Sequence, residues 1–316
     1  MGLLIDGVWH RDDETAGRGG RFERQASTFR DWISADGSTP YPAAAGRYHL
    51  YVSLACPWAH RTLIVRRLKG LTDAVGVSVV DPLMGESGWT LPEGADPING
   101  ARALHEIYTR ARPDYTGRVT VPVLWDTRTG TIVSNESADI IRMLNHGFGA
   151  LASGPDLYPA PLRAEIDRMN AKLYDTLNNG VYKAGFATTQ AAYEEAVAAV
   201  FETLDAMEAR LAHQRYLVDG AITEADWRAF TTLIRFDAVY HGHFKCNVRR
   251  VEDYPNLAGY VRELYQVPGV AATVDLDQIK RHYYASHRRI NPTGIVPVGP
   301  AVDYATPHGR DRLRAA

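Results

Sequence analysis

The chain has few cysteines. Two thiols in 316 residues, Cys56 and Cys246, cannot build a disulfide framework, and so sparse a pair fits a reducing compartment. It also lacks any large excess of positive or negative charge. Lys and Arg number 35 against 37 Asp and Glu, a formal net charge of −2 that gives no reason to expect a nucleic-acid partner. One local basic cluster, Lys280, Arg281, His282, Arg288 and Arg289, reads as a solvated face. No apolar run approaches the roughly 20 residues of a membrane span. The start, Met1-Gly2-Leu3-Leu4-Ile5-Asp6, lacks the basic region and long apolar core of a secretory leader. Asp6 stands where a myristoylation signal needs Ser or Thr. Repeats and low-complexity tracts are missing too. These absences lead us to expect a cytoplasmic protein with no membrane or nucleic-acid partner and no metal. The 45% hydrophobic and 23% charged residues are ordinary for a globular protein, and the length suggests about two domains.

The chain is organised around Ser53-Leu54-Ala55-Cys56-Pro57-Trp58-Ala59-His60-Arg61. Before it, Arg47 to Val52 alternates and is rich in aromatic and β-branched residues, which predicts a strand. After it, Thr62 to Lys69 places apolar residues at helical spacing, with Gly70 as a stop. Cys56 therefore falls where a strand hands over to a helix, with Pro57 at the first helical position, where a missing N–H costs nothing. Unpaired backbone N–H groups and the positive end of the helix dipole favour a thiolate there. The alternative is a buried, inert structural cysteine. A further absence refines the functional reading. Ala59 stands where a dithiol motif would carry its second cysteine, so an outside thiol must clear any disulfide formed on Cys56.

Residues 1–46 are polar and weakly periodic, an expected extended arm anchored by Trp9, Phe22, Phe29 and Trp32. From 47 to 146 the pattern predicts strand, helix, strand, an irregular insertion, a hairpin and a closing helix. The second strand, Ala74 to Val80, suits a parallel partner of the first. Val119 to Asp126 and Gly130 to Ser134 read as the hairpin, and Asn135-Glu136-Ser137 opens the helix. Pro122 inside a strand marks an edge or a cis bond. Glu136 and Ser137 in a first helical turn suit either a bound carboxylate or a simple cap. The Gly- and Pro-rich stretch 147–161 reads as a linker, 162–284 as helical, and 285–316 as an extension too rich in proline for regular structure. Thr223-Glu224-Ala225-Asp226 has the form of a capping box ahead of Trp227 to Tyr240.

Taken in order, these motifs resemble a cytosolic glutathione transferase: an α/β thioredoxin-like N-terminal domain that binds glutathione, followed by an all-α C-terminal domain. Five stretches narrow the resemblance to the glutathionyl-hydroquinone reductases, or Xi class. They are Cys56 to Arg61, Thr120 to Asp126, Asn178 to Ala187, Tyr240 to Asn247 and His282-Tyr283-Tyr284; the closing Ile290-Asn291-Pro292 fits as well. The resemblance implies reductive removal of glutathione from a hydroquinone ring through a mixed disulfide on Cys56, with glutathione as co-substrate. It implies glutathione contacts from Trp89, Arg118, the Val121 backbone, Glu136 and Ser137. Tyr182 and Tyr283, with Tyr240 as a lesser candidate, would line the hydroquinone pocket, and Cys246 would be structural. It also implies a homodimer. Two other readings share parts of this pattern: an Omega-like thiol transferase or dehydroascorbate reductase, and a non-catalytic transferase-fold module.

Overall fold

The computed structural model describes residues 2–11, 17–218 and 220–313. Residues 12–16 of the expected arm and 314–316 of the expected extension lie outside them. The chain divides into two compact units, Met1–Glu14 with Arg24–Pro155, and Thr15–Glu23 with Asp156–Ala316.

The first unit opens with a hairpin of β1 (Gly2–Ile5) and β2 (Val8–Arg11). Asp6 and Gly7 turn it, both with positive φ, the conformation that makes Asp-Gly a favoured two-residue hairpin loop. Two short strands follow, β3 (Ile33–Ser34) and β4 (Tyr41–Pro42). Then come β5 (Tyr48–Val52), α1 (Pro57–Leu68), β6 (Val75–Val79), α2 (Leu104–Ala111) and β7 (Gly117–Arg118). The unit closes with β8 (Val123–Asp126), β9 (Thr131–Ser134) and α3 (Ser137–Arg142), which runs on into a π-helical turn, Met143–Gly147.

The central sheet has the order β6-β5-β8-β9, with β5 and β6 parallel and the other pairs antiparallel. A strand–helix–strand crossover followed by a hairpin and a closing helix is the thioredoxin-like arrangement the sequence predicts. All five residues of β5 are buried, as suits a central strand covered on both faces. The hairpin strand begins at Val123, later than its apolar pattern suggests, because Pro122 has no N–H to give a ladder. The Val121–Pro122 bond is cis. A buried bidentate pair, Arg47 to Asp126 at 2.6 and 2.7 Å, ties the entry of β5 to the end of β8. Burial alone would raise the Asp126 carboxyl, but hydrogen bonds from Arg47, Thr129 and the Arg128 N–H outweigh it and hold it below the ordinary carboxylate value.

The second unit is helical: α4 (Arg163–Leu173), α5 (Gly180–Gly185), α6 (Gln190–Leu211), α7 (Glu224–Arg235), α8 (Pro255–Tyr265) and α9 (Leu276–Ser286). The long α6 buries Ala192, Ala196, Val200, Leu204, Met207 and Leu211, a stripe at three- and four-residue spacing. Every residue of α7 is buried, which makes it the centre of the bundle. Its capping box forms as expected, between Thr223 and Asp226. The Asp226 carboxylate also accepts from the Leu217 N–H and the Tyr260 hydroxyl, so the α7 start, the 217 segment and α8 share one acceptor. Two of these helices continue as π turns, α4 into Tyr174–Asn178 and α7 into Phe236–Tyr240.

Candidate active site

Cys56 is the N-cap residue of α1, extended in backbone (φ −78°, ψ 123°), with Pro57 in the first turn. Its carbonyl accepts the first intrahelical bond from His60, at 2.9 Å. Its side chain is half-buried and makes no cap hydrogen bond to the helix. The Sγ lies 3.7 Å from the carbonyl oxygen of Val121, the residue before cis-Pro122. The structure thus brings the expected nucleophile and one expected peptide-binding residue together. Trp58, next to Pro57, has the guanidinium groups of Arg24 and Arg61 at 4.8 and 4.7 Å from its ring centre. Cys246 differs in every respect. It is fully buried, and burial pushes its thiol up to about 12, far from reactivity at neutral pH.

Glu136 is the N-cap of α3, and its Oε1 accepts from the Ala138 N–H at 3.0 Å, so the capping reading holds geometrically. Its Oε2 accepts from the Ser27 hydroxyl at 3.0 Å. A carboxylate has about four lone-pair positions, so two such bonds leave room for a ligand cation. Ser137 follows at the buried helix start. Trp89 is buried in the insertion between β6 and α2, where its carbonyl accepts from the Leu104 N–H at 2.9 Å. Arg118 lies in β7, paired with Leu3 of β1, and its backbone N–H donates to the Gln25 side chain at 3.1 Å.

Two contributors were not foreseen. Tyr108 of α2 is fully buried; its hydroxyl donates to the Thr120 carbonyl at 2.8 Å and accepts from the Asn135 side chain at 3.1 Å. It thereby holds both the segment before Pro122 and the residue before Glu136. Ser27 is the other, supplied by the arm. Neither carries a sequence signal, since each acts through a partner about 110 residues away or through a chain reversal.

In the helical unit, Tyr182, Tyr240 and Tyr283 meet through their hydroxyls. Tyr182 and Tyr283 are 2.5 Å apart and Tyr240 and Tyr283 3.0 Å apart, a chain of three phenols. Tyr240 comes from the π turn after α7, Tyr283 from α9 and Tyr182 from α5. Tyr240 and Tyr283 are buried to 0% and 1% exposure, whereas Tyr182 is half-buried and is the outer member. Burial raises the Tyr240 and Tyr283 hydroxyls well above the ordinary phenol value, and the nearby Arg235 guanidinium partly offsets this. Both therefore keep their protons at neutral pH. Phe186, Phe244, His243 and His287 surround them.

The glutathione S-transferase N-terminal domain matches residues 55–146 and the C-terminal domain matches 190–263. The glutathionyl-hydroquinone reductase YqjG of Escherichia coli is 55% identical over 98% of this chain and 99% of that protein. The Xi-class transferase structure from Natrialba magadii superposes with a TM-score of 0.93 at 50% identity, covering 99% of this chain and 98% of that one. The chain belongs to the Xi-class glutathione transferases. A second relative of this class-wide likeness, the glutathionyl-hydroquinone reductase PcpF of Sphingobium chlorophenolicum, is 55% identical over 95% of this chain and 97% of its own. YqjG is also represented by a glutathione-bound structure with a TM-score of 0.89 at 53% identity, over 98% and 99% of the two chains. Among the described residues no group of His, Cys, Asp and Glu could hold a metal ion, and no helix is long and apolar enough to cross a membrane.

Proposed function

We propose that this Xi-class chain reduces S-glutathionyl-hydroquinones to hydroquinones at the expense of a second glutathione. The observation that carries the reading is a lone, half-buried thiol at the start of α1, 3.7 Å from the Val121 carbonyl, in a chain 55% identical to two glutathionyl-hydroquinone reductases. In the first step the Cys56 thiolate attacks the glutathione sulfur. The sulfur–carbon bond breaks, its electron pair passes into the ring, and a proton delivered to the ring carbon completes the hydroquinone. In the second step a glutathione thiolate attacks the mixed disulfide, which releases glutathione disulfide and restores the thiolate. Omega-like thiol transfer uses only the second kind of step. It would leave the three-phenol chain of the helical unit without a task. The experiment is turnover of a panel of glutathionyl-hydroquinones beside a small glutathione mixed disulfide. Turnover of the disulfide alone would replace this reading with general thiol transfer.

Within this reading the Val121 backbone pairs with the peptide part of glutathione as a strand edge would. Glu136 takes the γ-glutamyl ammonium, and Ser137 with nearby N–H groups takes its carboxylate. Trp89 packs on the tripeptide and Arg118 pairs with a carboxylate. Glu136→Gln or Ser137→Ala should weaken glutathione by about 1.5–3 kcal/mol, the worth of one charge-assisted hydrogen bond. Titration calorimetry reads this directly. An unchanged affinity would return both residues to capping. The reducing cytoplasm would supply the glutathione, and the protein would act as a homodimer, which sedimentation can check.

A further inference from the structure

Residues 17–23 do not belong to the sheet-containing unit that flanks them in sequence; they pack with the helices. The strap is fastened at several points. The Gly20 carbonyl accepts from the Thr188 N–H at 3.0 Å, and the Gly19 carbonyl accepts from the Thr189 hydroxyl at 3.1 Å. Arg21 pairs with Glu195 of α6 at 2.6 Å. Gly20 has φ +74°, and a Cβ there would meet Thr189 Cγ2 at 2.7 Å and Thr188 Oγ1 at 2.8 Å. Only glycine lets the strap lie this close in this conformation. Its one large apolar side chain, Phe22, is buried and faces the site: its ring stacks at 6.3 Å from Tyr182 and lies tilted at 5.4 Å from Phe186.

Tyr182 is the outer member of the phenol chain and has aromatic neighbours on several sides. Phe22 and Phe186 lie nearly parallel to it, at 29° and 28°, while Phe244 meets its edge at 63°. The phenol oxygen lies on the axis of ring rotation, so turning the ring about Cβ–Cγ leaves it in place and only a swing about χ1 moves it. The hydroxyl stays 2.5 Å from Tyr283 only while the ring is held against that swing. Phe22 lies against the Tyr182 ring in addition to Phe186 and Phe244, and so resists that swing. We propose that Phe22 is a positioning residue of this enzyme: the strap presses it on Tyr182, and this contact fixes the Tyr182 hydroxyl against Tyr283. The proposal rests on the hydroquinone reading for its effect on rate, and on ring contacts alone for its effect on Tyr182.

Two measurements separate these parts. The first is ¹³C NMR of protein with labelled tyrosine ring carbons, with the Tyr182 signal assigned by its loss in Tyr182→Phe. In Phe22→Ala that signal should move toward the position of an exposed phenol, and in Phe22→Tyr it should stay. The second is steady-state turnover of a glutathionyl-hydroquinone. Phe22→Ala should lower kcat about tenfold with KM within about twofold, since a displaced proton carrier impairs the step rather than binding. Phe22→Tyr should restore kcat. Gly20→Ala, whose added Cβ would meet Thr188 and Thr189, should shift the signal and lower kcat in the same direction by lifting the strap. An unmoved Tyr182 signal in Phe22→Ala would overturn the proposal, as would a kcat that Phe22→Tyr does not restore. A shifted signal in a protein whose wild type reduces no glutathionyl-hydroquinone would uphold the contact and overturn the proposed substrate instead.

Discussion

Cys56→Ser should retain no measurable reduction of glutathionyl-hydroquinones, while its thermal unfolding and glutathione affinity stay close to wild type. A serine hydroxyl neither ionises at neutral pH nor forms a disulfide, so the first bond of the cycle cannot be made. Cys246 cannot take over. It is fully buried, and burial pushes its thiol up to about 12, so it stays protonated at pH 7. The fold should tolerate the change because the Cys56 side chain caps no helix N–H, and the helix start relies on backbone bonds and Pro57. Mass spectrometry after exposure to glutathione disulfide checks the same point. Wild type should gain one glutathione, on Cys56, and the variant none. An adduct on Cys246, with activity kept in the serine variant, would end the mechanism.

The second large effect concerns the phenols. Expelling an aromatic carbon from sulfur is far harder than expelling a thiolate. The hydroquinone can ease it by tautomerising, with a proton placed on the carbon that bears sulfur, so that attack on sulfur expels an enolate-like phenol. That route needs a proton carrier beside the ring. Tyr182 is the half-buried end of a hydrogen-bonded chain whose inner members, Tyr283 and Tyr240, are held in the protonated form by burial. Tyr182→Phe and Tyr283→Phe should therefore slow glutathionyl-hydroquinone turnover by roughly 10²–10⁴-fold, the usual worth of positioned acid–base help. Reduction of a small glutathione mixed disulfide, which expels a thiolate, should change little. Because Tyr240 and Tyr283 sit well above the ordinary phenol value, no loss of rate from their ionisation is expected below about pH 10. Equal losses on both substrates would reduce the tyrosines to pocket walls.

What the sequence revealed follows the range of each interaction. The handover from β5 to α1 at Cys56-Pro57 is local, and it reads directly from alternation, helical spacing and a proline at the first helical position. The capping box at Thr223 is local as well. The hairpin of β1 and β2 has a local signal too, Asp6-Gly7 between Ile5 and Val8, but it sits in an arm whose polar, weakly periodic sequence predicts only an extended segment. Other features were not legible. Ser27 reaches Glu136 across 109 positions, and Phe22 reaches Tyr182 across 160, through contacts that no periodicity encodes. The order of the three phenols is set by burial, which places Tyr283 inside and Tyr182 outside, and the sequence offers no measure of it.

Because residues 17–23 belong with the helices while residues 2–11 and 24–155 belong to the first unit, the helical unit is built from two separate stretches of chain. The helical half is for that reason not a cassette. A protein engineer who cut at Pro155 and grafted the downstream half onto another transferase's first domain would leave the strap behind. The chimera would carry Tyr182 with its phenol partners but without Phe22. Moving this chain's substrate preference to another transferase thus calls for two pieces of it, one long and one short.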